Sequence, residues 1–202
     1  MAKENPLASN LTLEQQKNLF GNAYLNMLWH CPTDQRFPYW VHLPDCYYDE
    51  KDPHYKLLVI IHGTGCAVED YVRHAKELAD RDHVAVLAPL FPGGLIQRDD
   101  FNSYKLLSCD GVRYDQILLD MIDDMAKRYP GVETDKFFLF GHSGGGQFAN
   151  RFLFAHPEKL RACAIGAPGR PTFLNPDEDY FWGTRDFKNY FGHDVDLAAV
   201  QK

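Results

Sequence analysis

The sequence predicts an α/β fold built on a mostly parallel sheet. Two continuous apolar runs, Val59-Ile60-Ile61 and Phe137-Phe138-Leu139-Phe140, read as strands buried on both faces. A strand covered by helices on each side has no polar face to alternate with, so its apolar residues run on without interruption. A stretch at helical spacing follows each run, which gives the strand–helix alternation of a right-handed parallel arrangement. The length of 202 residues suits one domain with a sizeable core. No internal repeat or low-complexity segment divides it.

Taken in order, residues 1–10 read as a loose tail, and Thr12 as the N-cap of a helix to about Phe20, ended by Gly21. Tyr24 to His30 and Arg36 to Leu43 read as two strands joined by the turn-rich CPTDQ. Lys56 to His62 is the first buried strand. Glu69 to Asp80 follows as a helix, with Tyr71, Val72, Ala75, Leu78 and Ala79 on one face. His83 to Ala88 is a further strand stopped by Pro89, and residues 89–110 read as a loop. Val112 to Tyr129 is a long helix with Ile117, Leu118, Met121, Ile122 and Met125 inward, and Asp120, Asp123 and Asp124 on a solvated face. After Phe140 a helix carries Phe148, Phe152 and Leu153 at helical spacing, and Leu160 to Ala167 is the next strand. Residues 170–194 read as a cap or loop segment, and Val195 to Lys202 as a short helix.

The formal net charge of −7 argues against nucleic acid and anionic membranes as partners. No run approaches the ~18 apolar residues needed to span a bilayer. The opening MAKENPLASN lacks the basic-then-apolar pattern of a secretory signal, which favours the cytoplasm, although a mature secreted chain has the same look. The five cysteines form no Cys-x-x-Cys pair, so reduced thiols are the default, with a Cys31–Cys46 bridge left open by spacing alone. His74 and Glu77 share helical spacing without further ligands, there is no Walker-type loop, and Gly63-x-Gly65 lacks the third glycine of a dinucleotide fingerprint. Neither a metal nor a cofactor is expected.

The chemistry concentrates where strand turns into helix. Ser143 sits there, inside Gly141-His142-Ser143-Gly144-Gly145. This matches the Gly-x-Ser-x-Gly elbow, whose sharp turn strains the serine and needs small residues two before and two after it. The following helix aims its first amides at charge developing beside the serine. Over roughly residues 36–170 the chain resembles the α/β-hydrolase superfamily of serine hydrolases. The resemblance implies Ser143 as nucleophile on a small-molecule ester or related acyl substrate. It also implies an oxyanion pocket made by the backbone amides of Thr64, within His62-Gly63-Thr64-Gly65, and of Gly144. The extra glycines of the elbow and Ala167-Pro168-Gly169-Arg170-Pro171 look most like the esterase and polyester-depolymerase side of that superfamily. An acyltransferase on the same fold and a non-catalytic binding protein are the other readings.

In that superfamily the acid and then the histidine follow the serine, each after a further strand. Only one strand is recognisable after Ser143, so the chain is expected to stop short of the acid, the base and the last two strands. An unpaired sheet edge, and poor solubility, would follow. His193 is the one late histidine, beside Asp194 and Asp196, with no strand before it to hold it. His142 is expected to point away from the serine, His156 to end its helix exposed, and His62 to organise its loop by hydrogen bonding. Phe173, Tyr180, Phe181, Trp182, Phe187, Tyr190 and Phe191 read first as cap packing and second as a wall for an apolar acyl group.

Overall fold

The computed structural model describes residues 25–201. The tail expected over residues 1–10 and the helix expected from Thr12 to Phe20 lie outside the described residues. Strands β1 (Asn26–His30) and β2 (Pro38–His42) pair antiparallel with Leu28 opposite Trp40. Strand β3 (Tyr55–Ile61), helix α1 (Val68–Asp82) and strand β4 (Val84–Pro89) follow. The segment 89–110 is more than a loop: Ser103–Leu106 forms a 3₁₀ turn, and β5 (Ser108–Cys109) pairs antiparallel with β6 (Val112–Arg113). Helix α2 therefore begins at Tyr114 rather than Val112, and runs to Arg128. Strand β7 (Val132–His142), helix α3 (Gly144–Ala155) and strand β8 (Leu160–Gly166) complete the sheet, and short helices α4 (Phe187–Phe191) and α5 (Leu197–Val200) come last.

The sheet order is β1-β2-β4-β3-β7-β8. β2 is antiparallel to both neighbours, and β4, β3, β7 and β8 are parallel to one another. Both faces are covered at β3 and β4, which explains the run Val59-Ile60-Ile61, whereas in β7 Phe137 and Leu139 are buried and Phe138 and Phe140, on the other face, are only half-buried. Val59, Ile61, Ala85 and Leu87 join the large core with Leu118 and Met121 of α2 and Phe148 and Phe152 of α3. Ile60, Val86 and Ala88 point the other way, into a smaller cluster with Val68, Val72 and Ala79 of α1. Each valine, leucine or isoleucine among them contributes about 1.5–3 kcal/mol by leaving water, and each alanine less. Among the described residues β8 pairs on one side only. No helix there is long and apolar enough to cross a membrane.

Two expectations, on Asp124 and on His156, are corrected, and the open readings of the cysteines and of the aromatic tail are decided. Asp124 is buried rather than solvated, accepting hydrogen bonds from Tyr39 Oη at 2.6 Å and Arg128 Nε at 2.8 Å. Cys31 and Cys46 are both free thiols, as are the other three. Cys31 is buried beside Ile117 of α2, whereas Cys46 sits 3.3 Å from the Tyr55 hydroxyl at the start of β3, so the two belong to different contacts. His156 is not an exposed helix end: its Nε2 lies 2.8 Å from an oxygen of the fully buried Asp115. The aromatic tail divides, with Tyr180, Phe187 and Phe191 buried in mutual contact and Phe173 and Trp182 exposed.

Candidate active site

The parallel strands end along one edge of the sheet, and Ser143 stands there between β7 and α3. Its backbone has φ 56° and ψ −117°, a region that L-residues avoid. The turn is that tight because its glycines touch other backbone. A Cβ on Gly141 would collide with the Gly145 carbonyl, and one on Gly145 with the Ile61 carbonyl. Ser143 N–H donates to the Gly166 carbonyl at 2.9 Å and its own carbonyl accepts from Gln147 N–H at 3.1 Å, so the strained residue is pinned from both sides. Ser143 Oγ has no hydrogen-bond partner among the described residues.

The loop after β3 lies against this turn. A Cβ on Gly144 would come within 3.1 Å of Thr64 N, so the two amides expected to hold an oxyanion are neighbours. Neither donates to a partner among the described residues. His62 fixes the loop. It is fully buried, its Nε2 accepts from Phe91 N–H at 3.0 Å, and the proton is therefore on Nδ1, donated to the Gly63 carbonyl at 2.6 Å. Burial outweighs these bonds and holds its pKa below the usual histidine value.

No family model matches the chain, and a search of curated proteins gives no match. Solved structures do match. Poly(aspartic acid) hydrolase-1 from Sphingomonas sp. KT-1 is similar with a TM-score of 0.64 at 18% identity, over 87% of this chain and 66% of that one. LpqC, a poly(3-hydroxybutyrate) depolymerase from Bordetella parapertussis, gives 0.62 at 19% identity, over 87% and 60%. FphF, a fluorophosphonate-binding serine hydrolase from Staphylococcus aureus, gives 0.56 at 22% identity, over 69% and 55%. The chain has the α/β-hydrolase fold. It spans less than two thirds of the length of these three structures.

Within the hydrolase fold the histidines do not converge on Ser143. His193 is exposed, bonds the Asp194 carbonyl through Nδ1 at 3.0 Å, and lines a cleft with His156 and Phe191 that shares no residue with the cavity beside the serine. His142 is exposed, its ring next to Gly166. His156 belongs to a structural cluster in which Arg113 grips Asp115 bidentately at 2.9 and 2.7 Å. Burial works against ionisation of Asp115, yet the bonds from Arg113 and His156 prevail and hold its carboxyl below the ordinary range. Among the described residues one group could hold a metal, Cys46, Glu50 and His83, with Cys46 Sγ 3.5 Å from His83 Nδ1. It lies at the opposite end of the parallel strands from Ser143.

Two cations at the site had no sequence signal. Lys105 is buried on the 3₁₀ turn and its Nζ donates to Thr64 Oγ1 at 2.8 Å and Asn102 Oδ1 at 2.6 Å. Arg151 is buried on α3 and ties loops together through the carbonyls of Lys105, Gln147, Arg170 and Phe181. Burial draws both cations' pKa values down. A lysine among loop residues and an arginine about two turns past the elbow look like surface charges until the 89–110 segment folds over the helix.

Proposed function

We propose that this protein is a serine hydrolase that cleaves a carboxylic ester, or a related acyl bond, through an acyl-enzyme on Ser143. The observation that carries the reading is the strained Ser143 backbone, φ 56° and ψ −117°, at the first turn of α3. A fold gains nothing from such strain, about 1–3 kcal/mol, unless the exposed side chain is used. In the reading, Ser143 Oγ attacks the substrate carbonyl carbon as a base takes its proton. The amides of Thr64 and Gly144 hold the resulting oxyanion, each donor contributing about 10²–10³ in rate. The bond to the leaving alcohol breaks as that alcohol is protonated, and water then hydrolyses the acyl-serine. The esterases, depolymerases and hydrolases among the structural neighbours support ester chemistry over other uses of the fold.

The reading requires an acid and a base that do not stand against Ser143 among the described residues. The unpartnered Oγ is also what a non-catalytic member of the fold would present, which is the second reading. A fluorophosphonate probe and a short-chain p-nitrophenyl ester, applied beside Ser143→Ala, test both. Labelling and turnover that vanish in the alanine variant support the hydrolase. A chain that stays unlabelled, alone and with any coding sequence that extends it, sinks it.

A further inference from the structure

We propose that the cavity beside Ser143 is a subsite for a carboxylate group carried by the substrate, and that Lys105 is the residue that selects it. The proposal rests on the hydrolase reading for the reaction and on separate observations for the ligand.

The cavity is about 620 Å³ and is bordered by Lys105, Gln147, Arg151 and Arg170, with Phe181 and Trp182 as its apolar side. It abuts the elbow. Gln147 donates its amide to the Ser143 carbonyl, and Lys105 Cε is 2.8 Å from where a Cβ on Gly144 would be. No aspartate or glutamate lines it, although the chain as a whole carries a formal charge of −7.

Neither of its two buried cations forms a direct ion pair among the described residues. Arg151, 2% exposed, donates only to backbone carbonyls, and its buried Nε has no partner. Lys105, 5% exposed, donates to two neutral oxygens. An ammonium has three donors, so one makes no hydrogen bond among the described residues, the Tyr104 ring lying 5.9 Å from Nζ. Asp100, the carboxylate whose field reaches Lys105, is engaged with Ser103 and with the Asn102 amide. A buried cation with no carboxylate in direct contact is costly, and an arriving carboxylate lowers that cost. The roles divide: Arg151 holds the walls in position, Lys105 meets the anion inside, and exposed Arg170 meets it at the rim. Phe181 and Trp182 suit the short methylene chain between the carboxylate and the scissile carbonyl.

Glutarate titrated into the protein by calorimetry, beside its neutral isostere glutaramide, tests the subsite without requiring turnover. Glutarate is expected to bind at least tenfold more tightly, with affinity falling as salt rises. Lys105→Met is expected to lose that preference, and Arg170→Gln to weaken it severalfold. Equal binding of the two ligands, binding of neither, or a preference that survives in folded Lys105→Met would overturn the proposal. If Lys105→Met does not fold, the two ligands on the unaltered chain still decide. Carboxylate preference without fluorophosphonate labelling keeps the subsite and rejects the hydrolase reading, whereas labelling without that preference does the reverse.

Discussion

Lys105 Nζ donates to Thr64 Oγ1 at 2.8 Å, which ties the turn at 103–106 to the loop whose Thr64 amide lies beside Gly144. The bond joins a buried cation to a hydroxyl, so removing the acceptor leaves a charged donor short of a partner. Thr64→Val keeps the shape and the backbone amide and deletes only that acceptor. It is expected to lower stability by about 1–3 kcal/mol in urea unfolding, whereas Thr64→Ser stays near the parent. An unchanged midpoint for the valine variant would mean that Lys105 is not held by Thr64 in solution.

The glycines of the site separate into those that close approach requires and one that it does not. A Cβ at position 145 meets the Ile61 carbonyl, a backbone atom that cannot swing aside. Gly145→Ala is expected to lose about 3 kcal/mol or more, at the upper end of overpacking costs. Nothing lies within 4 Å of a Cβ at Gly65, and its φ is not positive. Gly65→Ala should be neutral or stabilising by about 0.4–1 kcal/mol through the unfolded state. Paired denaturant curves check both, and equal effects would contradict the packing of the turn.

The sheet was legible because burial on two faces leaves a mark in the residues themselves. Ile60 and Ile61 go to opposite cores, so both must be apolar. The Ser143 turn was legible for a related reason, since backbone contact at Gly141 and Gly145 dictates residue type. What escaped was held together across long sequence separations. Asp115 meets His156, Asp124 meets Tyr39, and Arg151 reaches the Lys105 carbonyl, none at a spacing that a helix or strand period displays. Charged residues on an amphipathic helix look alike whether a distant loop covers them or water does.

The Arg113–Asp115–His156 cluster makes a pH prediction. Asp115 is fully buried and its folded pKa is held below the ordinary value of 3.8. A depressed carboxylate pKa contributes stability that is present above the unfolded pKa and is lost as pH falls through the folded one. The parent should therefore lose stability progressively as pH drops below the ordinary value of 3.8. Asp115→Asn takes the charged partner from half-exposed Arg113 and should cost about 1–3 kcal/mol near neutral pH. Its acid limb should be shallower than that of the parent in stability measured against pH. Parallel curves for the two proteins would remove Asp115 from the acid response.

Ser143 offers the sharpest separation of strain from chemistry. Its φ of 56° with ψ of −117° is open to glycine and strained for a residue with a Cβ. Ser143→Ala keeps the Cβ and so keeps the strain, and should match the parent in stability to within about 0.5 kcal/mol. Ser143→Gly releases about 1–3 kcal/mol of strain and gives back roughly 0.5–1 kcal/mol in unfolded-chain entropy. The glycine variant should thus be about 1 kcal/mol more stable than the parent while losing all reaction with a fluorophosphonate. That combination, greater stability with the hydroxyl gone, is what a serine retained for its chemistry predicts. A glycine variant no more stable than the alanine variant would mean that the turn is relaxed in solution, and would remove the observation on which the hydrolase reading stands.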